Sequence, residues 1–225
     1  MPHAKRSLAW VGILAALFFA GPTAAYDGAR HAFRHSEPGG IDYYVLVLSW
    51  SPTHCLNERD ARQCDAEQSH DFVLHGFWPQ YAKGWPEDCY KGRRPWVPSH
   101  VIDEMRALMP SKALIIHEYK AHGTCSGLAP SPYYDAVRKA YDQVTIPKAL
   151  DDPETQRFLS PEKIEREFIV ANDWLKPDMI AVTCRRGKLF DVRICFSDDV
   201  QPQACGTNIN QKNLCPLRRI TVPVP

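Results

Sequence analysis

IDYYVLVLSW (residues 41–50) reads as a buried strand: β-branched and aromatic residues crowd it, and it lacks both proline and glycine. Working outward, DFVL (71–74) leads into His75 as a second strand. That would put the imidazole at a strand end, where the backbone turns at Gly76. Further on, Met179 to Cys184 and Lys188 to Phe196 flank Arg185-Arg186-Gly187 and read as a hairpin. In its second arm Phe190, Val192, Ile194 and Phe196 alternate with Leu189, Asp191, Arg193 and Cys195, so one face is strongly apolar.

Helices are marked by serine ahead of proline, a cap followed by a first-turn residue. Ser131-Pro132 opens one to about Val144, and Ser160-Pro161 opens another to about Ala171. Ser99 and Ser111 would cap two shorter helices separated by Pro110, the second carrying Ile115, Ile116 and HEYKAH. The 19 prolines and 12 glycines imply long irregular connections. Strands first, helices in the middle and a late hairpin predict an α+β fold, a central antiparallel or mixed sheet with several helices.

Residues 1–25 read as a signal peptide. Lys5 and Arg6 precede an apolar run from Leu8 to Ala20, and Thr23-Ala24-Ala25 supplies small residues for cleavage before Tyr26. The run is short against the ~20 residues that span a membrane. Residues 26–225 are then expected to form a single domain, exported to a periplasm or the extracellular medium and off the membrane after cleavage. Loss of Lys5 and Arg6 takes 27 basic residues to 25 against 26 acidic ones, so the formal charge passes from +1 to −1. A protein that grips long duplex nucleic acid is ordinarily more basic. All eight cysteines, at 55, 64, 89, 125, 184, 195, 205 and 215, follow residue 25. An even count in an exported chain reads as four disulfides, for which eight cysteines allow 105 connectivities.

Two segments carry chemistry, HGFWPQ (75–80) and HEYKAHGTC (117–125). His75, His117 and His122 with Glu118 would supply an acid, a base and an anion-stabilising group suited to phosphate transfer without a metal or other cofactor. His117 and His122 stand about 140° apart on a helix. Glu118 and His122 share a face at i,i+4. HEYKAH is one residue too long for the zinc motif HExxH, whose histidines must converge on one ion. Gly123-Thr124-Cys125-Ser126-Gly127 has the outline of a nucleophile elbow. In an exported chain with an even cysteine count, however, Cys125 is expected to be bridged.

Together the segments resemble the ribonuclease T2 family of secreted, cyclising endoribonucleases. Its first motif, HG[LF]WP, stands as His75-Gly76-Phe77-Trp78-Pro79. Its second, HEWxKHGTC, runs from His117 to Cys125, and the two begin 42 residues apart. LSWSPTHC (48–55) is similar to the family's N-terminal strand. The resemblance implies cleavage of single-stranded RNA through a 2′,3′-cyclic phosphate to a 3′-phosphate, by a protein expected to act as a monomer. In it His122 would be the base, His75 the acid, His117 a phosphate contact and Glu118 a transition-state stabiliser, with Trp78 stacking a base. It also implies the bridges Cys55–Cys64, Cys89–Cys125, Cys184–Cys215 and Cys195–Cys205. One position departs from the pattern. Where the family carries lysine before the last histidine this chain has Ala121, and Lys120 is rotated by about 100° from it. The alternative is therefore a T2-like scaffold that binds RNA or a partner with little catalysis.

Overall fold

The computed structural model describes Met1 and residues 40–57, 64, 70–92 and 94–225. The segment read as a signal peptide lies outside these apart from Met1, as does the start of the expected domain. Among the described residues six strands form one sheet in the order β2-β1-β5-β6-β3, with β4 paired to β5. They are β1 (Tyr43–Trp50), β2 (Phe72–Gln80), β3 (Arg157–Leu159), β4 (Ile180–Arg185), β5 (Lys188–Phe196) and β6 (Ile220–Val222). All pairings are antiparallel except the single β5–β6 contact, so the sheet is mixed. The fold is α+β.

Six α-helices among the described residues accompany the sheet: α1 (Ser51–Asn57), α2 (Ser99–Met105), α3 (Lys112–Ala121), α4 (Pro130–Tyr141), α5 (Pro161–Ala171) and α6 (Gln211–Leu214). Ser111 and Ser160 cap α3 and α5 through their hydroxyls, as the serine signal predicts. Two other serines do not cap. α4 begins at Pro130 after Ala129, and α2 begins at Ser99 itself, after Pro98, each without a side-chain cap. A proline's preset φ suits the entry to a helix, and α2 begins one residue and α4 two residues earlier than a serine cap would place them.

β1 is buried along its whole length. Tyr44, Leu46, Leu48 and Trp50 enter the main core with Phe77, Ile115, Tyr133, Val192 and Ile194. Tyr43, Val45 and Val47 face a smaller cluster with Cys195, Trp78 and Cys205. Tyr133 of α4 donates to Phe77 O at 2.7 Å and Tyr134 donates to Ile115 O, tying α4 to both β2 and α3. Buried hydroxyls satisfied in this way let polar groups sit inside an apolar core.

Two expectations about the strands change. β2 does not stop at His75 but runs on to Gln80. Leu48 pairs with Leu74 and Val47 with Gly76, so His75 is the extra residue of a β-bulge in mid-strand. The regular alternation in β5 also breaks. Leu189 joins Val192, Ile194 and Phe196 in the core, while Phe190 lies half-buried with the Arg185 guanidinium 5.5 Å from its ring centroid. The β4–β5 register shifts between Val182 and Cys184, opposite this point, which exchanges the faces of neighbouring residues. The hairpin turn is Arg186-Gly187, both at positive φ, which suits the twist of two paired strands.

Candidate active site

The bulge aims His75 out of the ladder. Its Nδ1 lies 2.9 Å from Ser49 Oγ of β1, and its Nε2 lies 3.4 Å from Glu118 Oε1 of α3. Glu118 is 1% exposed, and its other oxygen accepts a 2.7 Å hydrogen bond from Trp78 Nε1. Gly76 makes this approach possible. A Cβ there would overlap both Glu118 Oε2 and Trp78 Nε1. β2 is the end strand of the sheet, so the carboxylate of α3 reaches across it through the gap that glycine leaves.

His122 is the C-cap of α3, its backbone N–H donating to Glu118 O at 2.9 Å. Gly123 then starts a 3-10 turn to Ser126. A side chain at 123 would overlap the Tyr119 ring. The Trp78 indole lies between the histidines, 5.5 Å from the His75 ring and 5.1 Å from the His122 ring. The Cys89–Cys125 bridge joins the loop after β2 to the end of α3, reinforced by Asp88 N donating to Ala121 O at 2.8 Å. The other bridges pair Cys55–Cys64, Cys184–Cys215 and Cys195–Cys205.

The two histidines are driven in opposite directions. Burial pulls the pKa of His75 down, but the hydrogen bond and charge of Glu118, helped by Asp191, outweigh it and raise it above the ordinary value. Burial pulls His122 down too, and there the charge of Glu118 does not compensate, so its pKa is lowered. Burial would raise the carboxyl of Glu118, yet its bond to His75 and the histidine charges hold it below the usual carboxylate range. One buried carboxylate thus favours the charged form of His75, while burial favours the neutral form of His122. Separated pKa values of this kind mark an acid and a base. His122 Nδ1 is buried without a hydrogen-bond partner.

His75, Glu118, His122 and Trp78 therefore come together. His117 does not join them. It is exposed at the rim of α3 and influences His122 only through its charge. Lys120 turns away, its Nζ 5.6 Å from the centroid of the Tyr90 ring. Ala121 is 2% exposed. An open groove on α3 is lined by Arg94, Trp96, Ser99, Ile102, Lys112 and Ile116 and includes none of the clustered residues. Among the described residues no three His, Cys, Asp or Glu side chains come together in a way that could hold a metal ion, and no helix is long and apolar enough to cross a membrane.

Three residues of the site escape a reading by motif: Ser49, Asp191 and Arg193. Asp191 and Arg193 stand out only as charges within the apolar strand β5. The Arg193 guanidinium lies 5.2 Å from the centroid of the Trp78 ring and 3.4 Å from Asp191 Oδ2.

A mixed sheet that brings two oppositely tuned histidines beside one buried carboxylate defines a disulfide-bonded α+β protein with a candidate acid–base site. The Ribonuclease T2 family model matches residues 41–205, and the chain belongs to that family. A ribonuclease of Aeromonas hydrophila is 37% identical over 131 residues, covering 58% of this chain and 54% of that protein. Ribonuclease DdI of Dictyostelium discoideum is 25% identical over 183 residues, covering 73% and 77%. The chain thus spans about half the length of the Aeromonas relative. The fold is that of an RNase-related protein from Calystegia sepium, with TM-score 0.64 and 22% identity over 82% of this chain and 98% of that one. Trichomaglin, described as an S-like ribonuclease, gives TM-score 0.65 and 20% identity over 82% and 99%.

Proposed function

We propose that this chain is an endoribonuclease that cleaves single-stranded RNA by acid–base catalysis, exported and acting as a monomer. The observation that carries the reading is the opposed tuning of His75 and His122 around Glu118. His122 Nε2 takes the proton of a ribose 2′-hydroxyl, whose oxygen attacks phosphorus. The bond to the 5′-oxygen breaks, and His75 donates its proton to that oxygen. The product is a 2′,3′-cyclic phosphate. Water then opens the ring to a 3′-phosphate with the two histidines exchanging roles. Glu118 keeps His75 charged and shapes the field around the pentacoordinate phosphorus. His117, exposed at the rim, holds the scissile phosphate. Trp78 anchors Glu118 through its indole N–H and offers its remaining exposed surface to a base.

Arg193 supplies the cation that Ala121 does not. It reaches the Trp78 ring from β5, whereas Lys120 lies against Tyr90. Charge placed beside a developing oxyanion commonly contributes about 2.7–4 kcal/mol. The second reading, a scaffold that binds RNA or a partner with little turnover, is favoured by Ala121 alone.

Activity needs His122 neutral and His75 protonated. Both conditions hold between the lowered pKa of His122 and the raised pKa of His75, so the rate profile is bell-shaped around the ordinary histidine range. The test is cleavage of a short RNA by the disulfide-intact protein in excess EDTA, with His75→Ala alongside. A 2′,3′-cyclic phosphate from the unsubstituted protein alone is the expected result. No cleavage between pH 4 and 8 would leave the scaffold reading, and cleavage abolished by chelator would point to a metallohydrolase.

A further inference from the structure

We propose that Ser49 and Asp191 form a buried proton-orienting chain behind His75, making both of them positioning residues for the acid; this rests on the ribonuclease reading above. Ser49 Oγ lies 2.9 Å from His75 Nδ1 and donates to Asp191 Oδ1, also at 2.9 Å. Ser49 is 2% exposed and Asp191 1% exposed. They face each other across the β1–β5 ladder as a register pair.

Proton counting decides the polarity. A serine hydroxyl has one hydrogen. Asp191 is acceptor-only when ionised, and its other oxygen accepts from Arg193. The Ser49 hydrogen therefore points to Asp191, and Oγ can only accept from His75. Nδ1 must then carry a proton in every charge state of the ring. Nε2, which faces Glu118, becomes the nitrogen that gains and loses the catalytic proton. The partner of one ring nitrogen sets the role of the other. The arrangement does for an acid what a buried aspartate bonded directly to histidine does for a base in a hydrolase triad, with a serine interposed.

His75 is faced by Glu118 from α3, by Asp191 and Arg193 from β5, and by His122 beyond the Trp78 ring. Glu118 is the larger influence and Asp191 the second carboxylate that favours the charged ring, with Arg193 opposing. Asp191 N donates to Thr183 Oγ1 at 2.9 Å, which fixes the backbone from which the carboxylate extends.

Asp191→Asn reverses the chain. The amide has one acceptor, which Arg193 claims, so its NH2 turns to Ser49 and the serine hydrogen turns to Nδ1. The neutral ring then carries its proton on Nε2 and loses a nearby negative charge. The alkaline limb of kcat/KM on a dinucleotide is expected to move to lower pH by about one unit. That is roughly a tenfold loss on the alkaline side of the profile, with less than about a twofold change on its acid side. Ser49→Ala should give a similar shift, and combining the two should add little. A purely structural role would lower the folded fraction or scale the rate equally at all pH values. An unmoved limb in folded variants overturns the proposal while the ribonuclease reading stands; absence of cleavage by the unsubstituted protein sinks both. Nitrogen-15 NMR of the imidazoles needs no variant. Above its pKa, His75 should show the Nδ1–H tautomer, and an Nε2–H tautomer would overturn the proton-orienting chain.

Discussion

The two faces of β1 have the same backbone, the same burial and opposite uses. On one, Tyr44, Leu46, Leu48 and Trp50 are locked into the main core, where Tyr44 stacks on Phe77 at 4.4 Å and Trp50 meets Phe72 edge-on at 4.8 Å. On the other, the apolar row Tyr43, Val45 and Val47 ends in Ser49, and there the sheet turns polar, with Asp191, Arg193 and the bulged His75. The first face is uniform because hydrophobic burial is non-directional and asks only for apolar volume. The second is heterogeneous because acid–base chemistry needs particular donors at fixed separations. A strand buried on both faces can therefore store stability on one and position a site on the other.

The difference can be broken on the site face first, where the largest effect is expected. His122→Ala should lower kcat by about 10²–10⁴-fold while leaving the melting temperature nearly unchanged. Single-turnover cleavage and a thermal melt measured together check it. A large loss of stability would mean that His122 belongs to the core instead. Leu46→Ala is the converse, since Leu46 is fully buried. It should destabilise the protein by about 2–5 kcal/mol in denaturant titrations. Its folded fraction should retain kcat within about twofold.

Arg193→Met sharpens the comparison on the polar face, with an expected loss of about a hundred- to a thousandfold in kcat and partial recovery in Arg193→Lys. Ala121→Lys should not raise the rate and should lower the melting temperature, because position 121 is 2% exposed and the added chain must overpack or bend outward. A large gain from Ala121→Lys would instead show that the missing lysine limits the enzyme and that Arg193 does not replace it.

The smallest effect lies away from both faces, on α5. Burial, then the charge of Glu162, raises the pKa of Glu165 to about 7, and its Oε1 is buried without a partner. A carboxyl raised in the folded state contributes stability that is complete below its unfolded pKa and lost as pH rises through about 7. Glu165→Gln should therefore stabilise the protein at pH 8, by about 1 kcal/mol after allowance for its partial exposure, and not at pH 4. Thermal melts at the two pH values decide it. Equal gains at both would assign the effect to packing.

Much of this was legible beforehand because it is local. β1, the β4–β5 hairpin and the capping of α3 and α5 by Ser111 and Ser160 follow from residue type and spacing within a few positions. The histidine motifs announced their chemistry because acid, base and carboxylate lie within nine residues and one short partner segment. The bulge at His75 was not legible, since a strand's register is settled by its neighbours rather than by its own alternation. The start of α4 at Pro130 is not legible either, because Pro130 and Pro132 both suit the first turn.

By itself the sequence determined an α+β chain, its eight cysteines and the residue types of a proton-transfer site, because propensity, periodicity and motif spacing act over short stretches. Only the tertiary structure decided how those residues work. It left His117 exposed on α3 while burying Glu118, and set Lys120 beside Tyr90. It brought Ser49 to Asp191 across 142 positions and Trp78 to Glu118 across 40. It also gave His75 and His122 opposite tuning, because a pKa depends on burial and on charges within a few ångströms, and those are properties of neighbours in space.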